Sequence, residues 1–262
     1  MLHAIATSGA DQVLCLGGVQ ALAAMTFGLC GAASADMLVG AGNVYVAEAK
    51  RQLFGRVGID LLAGPTEVLV IADDTADPEL VAADLLGQAE HGPSSPAVLV
   101  TTSLTLGEQA IAAVTRLLKG WPTAEVAGAA WRDHGEVILA AGPDEAVAIA
   151  DARAPEHLEV HTEDPDWFAD RLRNYGSLFL GEQATVAYGD KAVGTNHVLP
   201  TSGAARYTGG LWVGKFLKTV TYQRLTEEGT RRVAPAVAAI SHAEGFGGHA
   251  ITAEMRLARV SA

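Results

Sequence analysis

The sequence is poor in cysteine and in positive charge, and each shortage excludes a class of protein. Its two cysteines, Cys15 and Cys30, exclude a disulfide framework and a zinc site built from thiolates. Lys and Arg total 18 against 30 Asp and Glu, and the net charge of −12 disfavours nucleic acids and anionic membranes as partners. No apolar run approaches the roughly 18 residues of a membrane span. We therefore expect a protein of the reducing cytoplasm.

The 262 residues, 49% of them hydrophobic, suffice for one large core or two modest ones. Short apolar runs alternate with longer helical patterns as far as Gly181. The runs "QVLCLGG" and "EVLVIADD" predict strands, and "DPELVAADLLGQAEHG" predicts a helix with Asp77 as N-cap and Pro78 at its first position. This alternation predicts an α/β fold, with a parallel or mixed sheet covered by helices on both faces.

After Gly181 the alternation stops. The stretch "GDKAVGTNHVLPTSGAARYTGGLWVGKF" is glycine-rich and too long for a passive connection, which favours a functional loop. A helical pattern follows in "RLTEEGTRRVAPAVAAISHAEG", then a short helix from about Ala250. We expect an α/β body over residues 1–185, and a site loop with a small C-terminal helical segment over residues 186–262.

Gln88 and His91 lie three residues apart at the end of the predicted helix, just before Gly92 and Pro93. Residues at this spacing share a helix face, and the helix C-terminus favours a cation. Taken alone, the pair is better explained as a polar surface turn.

Glu156 and His157 are adjacent in "APEHLEV", between a predicted helix and a predicted strand. A carboxylate beside an imidazole suits general acid–base catalysis, because each group can hold the other in a useful protonation state. An exposed Glu–His pair in a loop is the alternative.

Two later stretches also carry residues able to bind a metal. Asp190, Asn196 and His197 lie in the glycine-containing loop, where an Asx-turn is the alternative explanation. Glu244 and His249 flank glycines in "SHAEGFGGHA", where a helix-terminating turn is the alternative. Two histidines, one aspartate and one glutamine together would suit Zn²⁺ or Mn²⁺. The turns in "GGVQALAA" and "GAGNVYVAEAKRQ" lack a full dinucleotide-binding fingerprint.

The chain resembles histidinol dehydrogenases over essentially its whole length. The resemblance rests on motifs that occur in the same order, namely "GNVYVAEAKRQ", "AGPTEVLVIADD", "DLLGQAEHGP", "PEHLEV", "GDKAVGTNHVLPT" and "EGFGGHA". It implies oxidation of an alcohol through an aldehyde to a carboxylate in two NAD-linked steps. It also implies a fold of Rossmann-like halves and a homodimer whose C-terminal segment completes the partner's site.

The resemblance assigns roles to residues by their positions in the motifs. The implied zinc ligands are Gln88, His91, Asp190 and His249, and the implied catalytic acid–base pair is Glu156 and His157. The implied NAD contacts are Gln20 and Asn43. The implied substrate contacts are Thr66, Gln88, His91, His157, Asp190 and Glu244. Glu244 and His249 are then expected to act in trans.

The chain departs from the family in length and in its site loop. Family members are longer at the N-terminus by about a domain, so we expect one Rossmann-like half to be incomplete and apolar surface to be exposed. Thr66 stands where a serine is usual, and "GAARYTGGLWVGKFLKTVTYQ" is similar to the branch that oxidises sulfopropanediol. Arg206, Lys215 and Lys218 would suit a sulfonate.

Three alternatives stay open. The first is oxidation of L-histidinol to L-histidine by the same chemistry. The second is an inactive fragment or binding module, and the third is a lyase or hydrolase that uses the metal without NAD.

Overall fold

A computed structural model describes residues 2–261 of the chain, which divides into two units, Met1–Phe216 and Leu217–Ala262. The α-helices of the first unit are α1 (Leu2–Thr7), α2 (Gly18–Phe27), α3 (Val44–Leu53), α4 (Pro78–Ala89), α5 (Leu104–Leu117), α6 (Ala124–His134), α7 (Pro143–Arg153), α8 (Pro165–Ala169) and α9 (Val186–Tyr188). Its strands are β1 (Met37–Leu38), β2 (Gly58–Ile59), β3 (Val68–Ala72), β4 (Ala97–Thr101), β5 (Gly135–Leu139), β6 (His157–His161) and β7 (Ser177–Leu180). No helix within the described range is long and apolar enough to cross a membrane.

The main sheet has five parallel strands in the order β5-β4-β3-β6-β7, and β1 and β2 form a separate parallel pair. The first strand of the main sheet, β3, therefore lies in its middle. The strands β4 and β5 follow on one side of β3, and β6 and β7 then form the other side. Numbered within this sheet the order is 3-2-1-4-5, which is the order of the first five strands of a Rossmann fold. It confirms the predicted α/β class with a parallel sheet.

Both faces of the sheet are covered, as the near-continuous apolar strands predict. Val68 and Val70 of β3 point into a core shared with α4, α5 and α6. Leu69 and Ile71 point the other way, into a core shared with α7 and α8. Alternation along β3 thus directs its side chains to two different cores, one on each face of the sheet.

Helix α4 begins where the sequence predicts. The Asp77 side chain accepts a hydrogen bond from the Glu79 N–H, and Pro78 occupies the first turn. The helix runs from the carboxyl end of β3 back to the amino end of β4. Its last residues, Gln88 and Ala89, therefore lie at the amino edge of the sheet.

Three local predictions are wrong. The run "QVLCLGG" forms no strand, and most of residues 12–18 are exposed, because an apolar run becomes a strand only beside a neighbour that pairs with its backbone. Helix α6 lies in a segment where no helix was expected, and its buried face consists of the small residues Ala127 and Ala130. The last helix begins at Gly247 instead of Ala250 and is not short.

The second unit is a pair of helices, α10 (Glu227–Ala243) and α11 (Gly247–Ser261). Thr226 caps α10 by accepting a hydrogen bond from the Gly229 N–H. The two helices pack against each other, and the buried residues of α11 are the small Ala250 and Ala253. Gly245, with φ of 79°, makes the turn between them.

We predict that Leu85→Ala lowers the free energy of unfolding by about 2–5 kcal/mol, because Leu85 is fully buried between α4 and the sheet. Leu80→Ala is the matched control on the same helix, since Leu80 is 40% exposed, and should cost about 1 kcal/mol or less. Urea unfolding of both variants measures the difference. Equal losses would contradict the packing of α4.

Candidate active site

The amino ends of β3 and β6 form the centre of the candidate site. Val68 pairs with His157 in the parallel register, so the residues before the two strands, Thr66 and Glu67 on one side and Glu156 on the other, are neighbours. A cavity of about 510 Å³ opens at this edge of the sheet. The polar side chains that line it are Asn43, Thr66, Gln88, His91, Ser94, Ser95, Glu156, His157, Asp190 and His197.

His157 is buried and held as a neutral base. Its Nδ1 lies 3.0 Å from the Glu67 carbonyl oxygen. Because two lone pairs would repel each other at this distance, Nδ1 carries the proton and donates it, which leaves the Nε2 lone pair free. Burial lowers the pKa of His157 below its ordinary value, so the imidazole is neutral near pH 7.

Glu156 is poised to take or give a proton near neutral pH. Its Oε2 accepts hydrogen bonds from the Thr66 hydroxyl at 2.5 Å and from the Glu67 N–H at 3.1 Å. Burial outweighs these two bonds and raises the pKa of Glu156 to about 7. Gly176 allows this position, because a Cβ on Gly176 would lie 2.5 Å from the Glu156 carbonyl oxygen.

Gln88 and His91 reach the cavity from the end of α4. Gln88 is buried, donates a hydrogen bond to the Thr66 hydroxyl, and lies 3.3 Å from Nδ1 of His157. His91 follows the helix cap, with its backbone N–H donating to the Gln88 carbonyl at 3.2 Å, and its side chain is exposed. Both residues line the cavity, although α4 ends at Ala89 and His91 therefore lies beyond the helix on which the spacing placed it.

Asp190 comes from a different element, a single π-helical turn over Gly189–Val193. Such turns often occur at functional sites because they redirect a side chain. The carboxylate of Asp190 is near enough to His157 to oppose the effect of burial on the pKa of that imidazole. A Cβ on Gly189 would lie 3.1 Å from Cε1 of Phe179, so the turn approaches the sheet closely.

Comparison with known proteins identifies the family of this chain. Residues 1–257 match the histidinol dehydrogenase family. The chain belongs to that family. It is 56% identical to the sulfopropanediol 3-dehydrogenase of Ruegeria pomeroyi and 46% identical to the histidinol dehydrogenase of Gluconobacter oxydans, covering 99% and 98% of this chain. The crystal structure of histidinol dehydrogenase from Elizabethkingia anophelis matches all of it with a TM-score of 0.89 at 37% identity.

The chain spans 60% of the length of each of these three relatives. Large apolar side chains are exposed in the first unit, including Phe27, Tyr45 and Phe54. The match to the family covers the residues that form the main sheet and the cavity. It covers only part of each longer relative.

The donor set of the cavity fits a divalent cation. Gln88, His91 and Asp190 supply an amide oxygen, an imidazole nitrogen and a carboxylate, a set that suits Zn²⁺ or Mn²⁺. The remaining ligand implied by the family, His249, lies in the second unit, at the start of α11. Glu244, an implied substrate contact, lies in the same unit, at the end of α10. The three donors of the first unit leave room in a tetrahedral shell for one more.

The two residues implied for NAD differ in their placement. Asn43 lines the cavity and caps α3, since its Oδ1 accepts hydrogen bonds from the N–H groups of Tyr45 and Val46, both at 3.1 Å. Its Nδ2 stays available as a donor to a ligand. Gln20 is exposed on α2 and is absent from the cavity lining among residues 2–261.

Two supporting interactions were not expected from the sequence. Besides orienting His157, Glu67 accepts a hydrogen bond from the Ser202 N–H at 2.9 Å and so holds the site loop. Lys50 and Asp60 form a buried ion pair that also hydrogen-bonds both backbone groups of Gly40. The only sequence signal for either is an acidic residue beside an apolar segment, Glu67 just before β3 and Asp60 just after β2.

Of the three cationic side chains expected to suit a sulfonate, Arg206 and Lys215 are in the first unit, and neither lines this cavity among residues 2–261. Arg206 donates hydrogen bonds to the carbonyl oxygens of Ala152 and Gly203 and lines a different cavity, on the other side of β3. That expectation is wrong for Arg206, because its guanidinium binds one carbonyl oxygen in the last turn of α7 and one in its own loop. Lys215 lies in a 3₁₀ turn at the end of the first unit, and Lys218 belongs to the second unit.

We predict that Glu156→Gln stabilises the protein increasingly as the pH rises from about 4.5 to about 7. The folded-state pKa of Glu156 is raised, so its stabilising contribution is full below the unfolded value of 4.5 and is lost as the pH rises through about 7. Urea unfolding across this range measures the difference between variant and wild type. Glu163→Gln, at an exposed position, is the control, and a pH-independent difference for Glu156→Gln would contradict the assignment.

Proposed function

We propose that this chain carries the catalytic centre of an NAD- and zinc-dependent dehydrogenase that oxidises a small alcohol through an aldehyde to a carboxylate. The observation that carries the proposal is one cavity in which a neutral imidazole and a carboxyl of raised pKa lie beside Gln88, His91 and Asp190. An oxidation in two stages needs a base that takes the proton from the alcohol hydroxyl. It also needs a group that takes a proton from the water that adds to the aldehyde. The site supplies both.

His157 serves the first stage. Its free Nε2 accepts the hydroxyl proton of the alcohol, and the Glu67 carbonyl stabilises the resulting imidazolium through Nδ1–H. NAD, when bound, accepts the hydride from the carbon atom. The lowered pKa of His157 keeps the base unprotonated at the start of the step.

Glu156 serves the second stage. With a pKa of about 7, its carboxylate takes a proton from water as the water adds to the aldehyde. The hydrated aldehyde then loses a second hydride and becomes the carboxylate. In total, one alcohol and one water yield one carboxylate, two hydrides on two NAD molecules, and three protons.

Zinc would be held by Gln88, His91, Asp190 and His249 and would act as a Lewis acid that polarises the substrate oxygen. We propose a homodimer of the cytoplasm in which Glu244 and His249 of one subunit serve the site of the other. Thr66, His157 and Glu244 would contact the substrate together with the metal ligands Gln88, His91 and Asp190.

The proposed substrate is sulfopropanediol, which would be oxidised to sulfolactate. The chain is ten percentage points more identical to the relative named for that diol than to the one named histidinol dehydrogenase. L-Histidinol is the second candidate, because 46% identity over 98% of the chain supports the shared chemistry. The site loop that differs from the biosynthetic branch follows Asp190.

We predict that His157→Asn lowers NADH production by at least about 100-fold while zinc content is retained, because general-base catalysis typically contributes this much or more. His91→Ala should instead lose zinc. His134→Asn, at an exposed histidine outside the cavity, is the control and should keep both. Retention of zinc and activity by both site variants would contradict the assigned roles.

We also predict NADH formation with 2,3-dihydroxypropanesulfonate in preference to L-histidinol, measured by absorbance on the zinc-loaded chain. Turnover of L-histidinol alone would overturn the substrate. A product formed without NADH would favour a lyase or hydrolase. Zinc binding with no turnover of either alcohol would leave the chain a binding module.

A further inference from the structure

A second polar cluster lies further along the face of β6 that carries His157. Alternate residues of a strand share a face, so Glu159 and His161 point in the same direction as His157, towards α4. Glu159 is 0% exposed and His161 is 1% exposed. None of the roles proposed above uses either residue.

Asp84 completes the cluster from α4, one turn before Gln88. One donor atom from each of Asp84, Glu159 and His161 lies within 4.8 Å of the other two. His161 Nε2 is 3.6 Å from Glu159 Oε2 and 3.8 Å from Asp84 Oδ2. These separations are too long for hydrogen bonds but suit atoms that surround a common ion about 2 Å from each.

In each of the two carboxylates, one oxygen is held by a hydrogen bond and the other oxygen faces the cluster. Asp84 Oδ1 accepts a hydrogen bond from the Thr185 hydroxyl at 2.9 Å, and Glu159 Oε1 accepts one from the Val186 N–H at 3.1 Å. Glu159 Oε2 and both ring nitrogens of His161 have no hydrogen-bond partner in the described part of the chain. Metal-binding carboxylates are commonly oriented in this way by hydrogen bonds to their outer oxygens.

Burial makes this arrangement costly without a counter-ion. Removal from water raises the pKa of Asp84 to about 7, and the nearby Glu159 carboxylate raises it as well. Against the effect of burial, Glu159 and Asp84 raise the pKa of His161, so a proton on the imidazole offsets part of their charge. A charge of +2 would displace that proton and balance both carboxylates. A divalent cation would therefore remove the repulsion and supply partners to the unpaired atoms.

We propose that Asp84, Glu159 and His161 form a binding site for a divalent transition-metal ion such as Zn²⁺ or Mn²⁺, separate from the ligand set at the amino edge of the sheet. Two carboxylates and one imidazole suit these borderline ions. A further cavity of about 220 Å³ is bordered by Asp84, Thr185 and Asp190 and would let an ion approach the cluster from the side of Asp84. The same cavity touches Gln88 and His91, so the two metal sites would be neighbours along α4.

Titration of the metal-free chain with ZnCl₂, followed by calorimetry, tests the proposal. Asp84→Asn and His161→Leu should each lose one equivalent of zinc or bind it at least ten-fold more weakly. His91→Ala, which alters the amino-edge ligands, should keep that equivalent. His134→Leu, at an exposed histidine, is the matched control and should bind as the wild type does.

Unchanged stoichiometry and affinity in Asp84→Asn and in His161→Leu would overturn the proposal, whatever His91→Ala does. The Asp84 and His161 variants thus test this site independently of the proposed zinc site at the amino edge, which His91→Ala tests. Crystals of the wild-type chain soaked in ZnCl₂ provide a test without substitutions. An anomalous peak at the zinc edge among Asp84, Glu159 and His161 is expected, and absence of that peak would refute the site.

Discussion

The parallel pairing of β3 with β6 is the interaction on which the candidate active site depends. It aligns Val68 with His157 and brings both the backbone and the ring of His157 to the Glu67 carbonyl. The same pairing places Glu156 against the Thr66 hydroxyl. A shift of one residue would turn His157 to the opposite face of the sheet, where Leu158 and Val160 now pack in an apolar core.

The position of the cavity is unusual for this strand order. Open α/β sheets commonly bind ligands at the carboxyl ends of their strands, whereas here Glu156 and His157, the proposed acid–base pair, lie at the amino ends. Helix α4 explains the difference, because it delivers Gln88 to the amino edge and Asp84 one turn deeper along the same face of β6. One helix and one strand thus connect the proposed catalytic centre with the proposed second metal site.

The sequence predicted local elements better than distant contacts. The N-cap at Asp77, the start of α4 and the strands β3 and β4 follow from short-range patterns that the structure confirms. The role of Glu67 cannot be predicted from such patterns, because its partner, His157, is 90 residues away in the sequence. The alternation in "HLEVH" is visible in the sequence, but nothing in it indicates that Asp84 lies opposite.

The most direct test of the central claim is the ¹⁵N chemical shift of His157, measured by NMR as a function of pH. The account predicts a neutral ring at pH 7, protonated at Nδ1 and unprotonated at Nε2, with a pKa below the ordinary 6.5. A ring that is cationic at pH 7, or neutral with its proton on Nε2, would contradict the account. A cationic ring has no lone pair to accept the substrate proton, and a ring protonated on Nε2 has its lone pair on Nδ1, against the Glu67 carbonyl.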